Sequence, residues 1–310
     1  MMYHQHSLTL SGKLLLEAIA SQTDLADLRS ANLDSCDLPA IPTRILGLAA
    51  LTELSLFDNQ LAELPGDIAR LPLLQTLNIS QNLLASLPDE IGALEPLAML
   101  DIGHNRLSSL PQSFGSLHNL VYLYASHNQL NNLPASFSQL SRLRYLNITD
   151  NHFDALPAWL GNLTHLVELR IYNNEISAFP EGIGALSNLI ELHAYQNQIT
   201  ALPDSIGQLS SLVKLDLQAN RLSALPESIG QLAHLTELNL RFNRLSQLPS
   251  GVAQLHSLEY LDLRANSLTA LPAGLGQLPN LRKIDLRWNQ LESYPPCLAI
   301  LARQGCLVYI

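Results

Sequence analysis

The sequence predicts an α/β solenoid: a stack of near-identical coils with a parallel β-sheet on one side and short helices or irregular turns on the other. Three observations predict it. Asparagine recurs every 23 residues, at Asn59, Asn82, Asn105, Asn128, Asn151, Asn174, Asn197, Asn220, Asn243, Asn266 and Asn289, without an insertion. Proline keeps the same beat from Pro65 to Pro295. Each period also carries a leucine framework, first complete in Leu51, Leu54, Leu56, Leu61 and Leu64 around Asn59. A fixed period of this length marks supersecondary units that bury their apolar faces only against one another.

Each element has a physical reason. Leu54 and Leu56 are two apart and share one face of a strand, so their neighbours face the other way. Leu51, Leu61, Leu64, Ile68 and Leu71 complete an inward ring. The chain then leaves the strand inside the core, where its backbone donors and acceptors are away from water. An inward asparagine amide offers both a donor and an acceptor to the turns of adjacent coils, so the asparagines form a ladder. One period before Asn59, Cys36 takes that position as a weaker substitute, tolerable at the end of the stack.

About twelve repeats of 23 residues occupy 25–291. An N-terminal cap of a strand plus a short helix occupies 1–24, and a C-terminal cap occupies 292–310. The end strands are expected to keep the register of the repeats, with Leu8-x-Leu10 and Leu307-x-Tyr309 in the Leu-x-Leu positions. Ser11 is the expected N-cap of a helix running to Ala20. Pro296–Arg303 reads as a closing helix.

Composition bounds the function. The chain has 310 residues, 47% hydrophobic and 14% charged, which excludes a disordered protein. A net charge of −10 disfavours nucleic acid and anionic membranes as partners. No apolar run approaches the roughly 20 residues that span a bilayer. Three cysteines, Cys36, Cys297 and Cys306, are too few for a disulfide scaffold and read as small buried residues. Without a cationic n-region the N-terminus lacks a Sec-type signal, so a cytoplasmic location is expected, with secretion into a host cell as the alternative.

These motifs resemble the leucine-rich repeat family, whose pattern Leu-x-x-Leu-x-Leu-x-x-Asn/Cys-x-Leu they follow across about residues 25–303. The segment Leu225-Pro226-Glu227-Ser228-Ile229-Gly230-Gln231-Leu232 is similar to the intracellular Ras-group and bacterial type. The resemblance implies a horseshoe with the sheet on its concave face and the turns on its convex face.

Function is expected where the outward strand positions vary. Tyr122, Tyr124, Tyr145, Arg170, Tyr172, His193 and Tyr195 form a candidate contact surface for a protein or peptide, because exposed tyrosine and arginine are enriched at binding hot spots. Arg241, Arg264 and Arg287, flanked by Phe242 and Trp288, form a secondary patch. Asp216, Asp262 and Asp285 in a nearby column point to a self-neutralised ladder there. His104 and His127 stack in adjacent repeats without a clear third ligand, so no metal is expected.

No glycine-rich phosphate loop, HExxH, GxSxG or CxxC motif occurs, and no segment is left over for a catalytic domain. Cys297 lacks the acidic neighbour of the Cys-x-Asp motif that the resemblance associates with bacterial ubiquitin-ligase effectors. The expected protein is therefore a non-enzymatic, monomeric interaction scaffold without a cofactor. The alternative is a bacterial effector acting in a host cell, as the substrate-recognition part of a ubiquitin ligase.

Overall fold

The computed structural model describes residues 8–310; the first seven residues of the expected N-terminal cap lie outside the described residues. The chain divides into two compact units, Met1–Asn151 and His152–Ile310. In the first, strands β1 (Leu8–Ser11), β2 (Leu28–Asn32), β3 (Glu53–Ser55), β4 (Thr76–Asn78), β5 (Met99–Asp101), β6 (Tyr122–Tyr124) and β7 (Tyr145–Asn147) pair in sequence order, all parallel. In the second, β8 (Glu168–Arg170), β9 (Glu191–His193), β10 (Lys214–Asp216), β11 (Glu237–Asn239), β12 (Tyr260–Asp262), β13 (Lys283–Asp285) and β14 (Leu307–Tyr309) do the same. Each unit is thus a solenoid with one strand per coil.

In the coils from β2 to β13 the return side is a short 3-10 helix. Pro65, at φ −72° and ψ 147°, ends an extended approach, and Gly66–Arg70 form the helix. The fixed φ of proline suits that corner, and its missing N–H is not needed there. The inward ring Leu51, Leu54, Leu56, Leu61, Leu64, Ile68 and Leu71 is buried throughout. In the first unit Phe114 and Phe137 replace the isoleucine of the ring, and their rings stack at 5.2 Å.

The ends depart from the expected register. At the N-terminal end Leu10, not Leu8, lies opposite Ala31, with an irregularity between Leu8 and Thr9. At the C-terminal end Val308 lies opposite Ile284, leaving Leu307 and Tyr309 beside Lys283 and Asp285. Leu307 is consequently 59% exposed. The cause is the return segment: helix α2 (Pro296–Arg303) and Gly305 at φ 93° replace the 3-10 turn and add one residue. A one-residue shift exchanges the faces of a strand.

Ser11 also differs from expectation. It precedes helix α1 (Gly12–Ala20), but its side chain makes no capping hydrogen bond. It is the last residue of β1, and Gly12 at φ 52° turns the chain into the helix. All three cysteines are free; Cys297 and Cys306 are buried, whereas Cys36 is only half-buried.

Candidate functional site

The outward face of the sheet is held rigid by what lies behind it. In each coil the ladder asparagine bonds in one direction. The amide of Asn197 donates to the carbonyls of Ile171 (3.0 Å) in the preceding coil and Ala194 (3.2 Å) in its own, and its Oδ1 accepts from Ile176 N–H (3.0 Å). The same three bonds recur at Asn82, with Leu56, Ile79 and Leu61. Each asparagine thus serves the coil before it. This explains Cys36: its own N–H is satisfied by Asn59 Oδ1 (3.1 Å), and its thiol has only the local carbonyl of Asp34 at 3.4 Å.

The residue before each ladder position lies in the left-handed region, from Ser35 (φ 51°) and Asp58 (φ 57°) to Phe242 (φ 57°) and Trp288 (φ 64°). Non-glycine residues hold that conformation only where the surroundings over-determine it. The ladder bonds on either side do so. This turn lets two consecutive positions, such as Arg241 and Phe242, both point away from the core, which a regular strand forbids. Sequence reasoning placed these residues outward without recognising the turn. The signal was the presence of Asp58, His104, His127, Asp150 and Asn173 in one column, residue types that tolerate this region.

On the first unit the sheet face is aromatic at β6 and β7. Tyr122 is exposed and lies in register with Tyr145, and the ring of Tyr124 packs against that of Tyr145 at 4.7 Å. His104 and His127 stack at 4.0 Å, and His127 Nε2 lies 3.4 Å from Asp150. Burial, then the neighbouring His127, push the His104 pKa down against the opposing pull of Asp101 and Asp150. His104 therefore stays neutral into more acidic solution than an ordinary histidine.

On the second unit the rings of Tyr172 and Tyr195 stack at 4.1 Å, nearly parallel at 9°. Arg170 and His193 lie in register on β8 and β9. Arg170 Nε donates to Glu168, and His193 Nε2 lies 2.8 Å from Glu191. Glu168 and Glu191 were not singled out from the sequence. Their signal was available, since Glu-Leu-Arg and Glu-Leu-His stand one period apart.

The arginine column near the C-terminal end divides. Arg264 is paired with Asp262 and lies 3.5 Å from Asp285; Arg287 is paired with Asp285 at 2.6 Å. The side chain of Asp285 is 2% exposed, and although burial raises its pKa, the Arg287 hydrogen bonds and the charges of Arg264 and Arg287 bring it below the ordinary value. Arg241 differs: two residues before it stands Asn239, not an aspartate, and its buried Nε has no hydrogen-bond partner. Its guanidinium lies 5.3 Å from the Phe242 ring centroid. Close ion pairing thus covers Arg264 and Arg287, whereas Arg241 acts on Asp216 through its charge without a close pair.

Asp216 is the reverse case to Asp285. Burial raises its pKa more than the Gln218 and Asn239 hydrogen bonds and the charges of His193 and Arg241 lower it. A carboxyl whose folded pKa is raised contributes stability below its unfolded pKa, and loses it as pH rises through the folded value. Asparagine occupies this column at Asn78 and accepts the same i+2 backbone N–H there, from Ser80 at 3.0 Å. Asp216→Asn is therefore expected to raise the denaturation midpoint at pH 7, with the gain vanishing below about pH 4. Urea melts at both pH values check this; an equal gain at both would refute the electrostatic cause.

Burial pushes the Cys297 thiol up, despite hydrogen bonds that lower it, away from the thiolate that attack requires. No helix among the described residues is long and apolar enough to cross a membrane.

Comparison with known proteins agrees with this architecture. The family profile described as "Leucine-rich repeat region" matches residues 128–219 and 192–299. The profile described as "Leucine rich repeat" matches residues 72–130 and 95–153. A search of curated proteins finds no match. Among solved structures, a leucine-rich repeat protein of Leptospira interrogans is 26% identical with a TM-score of 0.52, over 98% of this chain and 100% of that one. The crystal structure of a TDR receptor is 30% identical with a TM-score of 0.79, over 92% of this chain and 51% of that one. The plant peptide hormone receptor RGFR1, solved in complex with RGF2, is 28% identical with a TM-score of 0.60, over 93% of this chain and 54% of that one. This chain thus spans about half the length of each of these two receptors. With profile matches running over more than half of the sequence and a 23-residue coil built on an asparagine ladder, the chain belongs to the leucine-rich repeat family.

Proposed function

We propose that this protein is a non-enzymatic scaffold that holds a protein or peptide partner on its sheet face, the concave side in the family. The observation that carries the reading is the paired tyrosines on that face: Tyr124 with Tyr145 on one unit, Tyr172 with Tyr195 on the other. Each pair presents a large, stiff, amphipathic area with few rotors, and Tyr122, Arg170 and His193 border them with polar tips. The strands behind them are locked by backbone pairing and by the asparagine ladder, so little conformational entropy is lost on binding. The complex of RGFR1 with RGF2 supports the reading, as a similar repeat protein with a bound partner.

Two double variants test it, Tyr124→Ala/Tyr145→Ala and Tyr172→Ala/Tyr195→Ala. After circular dichroism confirms folding, each is compared with the parent in pull-downs from bacterial and eukaryotic lysates read by mass spectrometry. A partner held by the parent should bind at least about 30-fold more weakly to one of the variants, the effect of losing a hot spot of roughly 2 kcal/mol. A partner retained equally by both variants would move the site off these faces.

A further inference from the structure

We propose that Glu168, Glu191 and His193 form a binding site for a divalent transition-metal ion of the zinc class, on the sheet face of the second unit. Glu168 and Glu191 are in-register partners on β8 and β9, and His193 follows Glu191 by two residues on the same face. His193 Nε2 lies 2.8 Å from Glu191 Oε2 and 3.9 Å from Glu168 Oε1. One donor atom from each of the three residues falls within 4.8 Å of the others. Ligands about 2.0–2.2 Å from a tetrahedral zinc ion stand roughly 3.4 Å apart, so small side-chain adjustments suffice.

The chemistry is specific. One imidazole nitrogen and two carboxylate oxygens suit zinc and its neighbours in the first transition row, whereas calcium and magnesium prefer oxygen alone. Two carboxylates facing each other on adjacent strands repel, and a cation between them removes that cost. Arg170 offsets part of it already by donating to Glu168. A carboxylate has lone pairs enough to keep that hydrogen bond while it ligates, and such outer contacts orient metal ligands. Asp216 stands in register with His193 on the other side, a further carboxylate beside the imidazole. All three ligands are half-buried and sit on strands, which hold position better than loops. Three protein ligands leave coordination positions open on the same face as Tyr172 and Tyr195. This site stands whether or not that face binds a protein. His104 and His127, by contrast, do not converge with a third donor within the same mutual distance among the described residues, although Asp150 lies 3.4 Å from His127.

The experiment is calorimetric titration of zinc into the metal-stripped full chain. A His4→Ala/His6→Ala/Cys36→Ser background removes the His-x-His pair and the half-buried thiol. One saturable equivalent is expected, raising Tm, unaffected by excess calcium or magnesium. It should weaken by about tenfold or more in His193→Ala and in the milder Glu191→Gln, and should persist in His104→Ala/His127→Ala. Cobalt in place of zinc should show ligand-field absorption in the parent and lose it in Glu191→Gln. If His193→Ala does not fold, Glu191→Gln and Glu168→Gln decide. No saturable equivalent, unchanged affinity in those variants, or loss only in the His104/His127 variant would overturn the site.

Discussion

Asn197→Ala is expected to lower stability by about 3–5 kcal/mol. The substitution leaves Ile176 N–H without its acceptor, in a place where Asn197 itself is 8% exposed, and takes one of two ladder bonds from each of the carbonyls of Ile171 and Ala194, which keep Asn174 and Asn220. The buried N–H left unsatisfied costs about 1–3 kcal/mol, and each hydrogen bond lost from a carbonyl that keeps another costs about 0.5–1.5 kcal/mol. The bonds join two coils, so the loss falls on their interface as well as on one turn, and interface terms hold a repeat protein together. Asn197→Cys is expected to lose less, since a thiol keeps the volume and a weak donor, as Cys36 does at the end of the stack. Denaturant melts measure the first effect, and hydrogen exchange at Ile176 locates it. A loss below about 1 kcal/mol would show that solvent, not the amide, can satisfy the turn.

Gly207→Val should be the next most damaging of the changes considered. A Cβ at Gly207 would stand 2.4 Å from the backbone oxygen of Ser228 in the next coil, so the coils must separate. The backbone there is not left-handed, and the requirement is one of space alone. Overpacking of this kind costs about 1–3 kcal/mol for an added methyl, so Gly207→Ala should lie in that range and valine above it. Gly47 is the control: nothing lies within 4 Å of its Cβ position, and Gly47→Ala should be neutral or slightly stabilising. Equal melting temperatures for the Gly207 and Gly47 alanine variants would mean that the coils have slack.

Much of the fold was legible from particular residues. Leu54 and Leu56 set a strand face, Pro65 sets a corner, and Asn59 sets the turn between them, because each answers a local demand that repeats with the chain. The candidate site was legible in part. Tyr172 and Tyr195 were placed on one face from their spacing, but the 4.1 Å stacking of their rings depends on side-chain rotamers that spacing does not specify. Glu168 and Glu191 were overlooked because each is an ordinary surface glutamate in its own repeat. They acquire a shared chemistry only when two strands 23 residues apart lie side by side.

The sequence by itself determined the period, the inward ring, the ladder and which columns face outward. These depend on interactions within one coil or between identical coils, and repetition makes them visible. Tertiary structure alone decided the register of the end strands and the pairing of Arg264 and Arg287 but not Arg241. It also decided the meeting of two glutamates with His193. In each of these the outcome depends on a return segment of unusual length, or on a neighbour that differs from the repeat. The energy then lies in contacts between non-equivalent residues, which a periodic pattern does not encode.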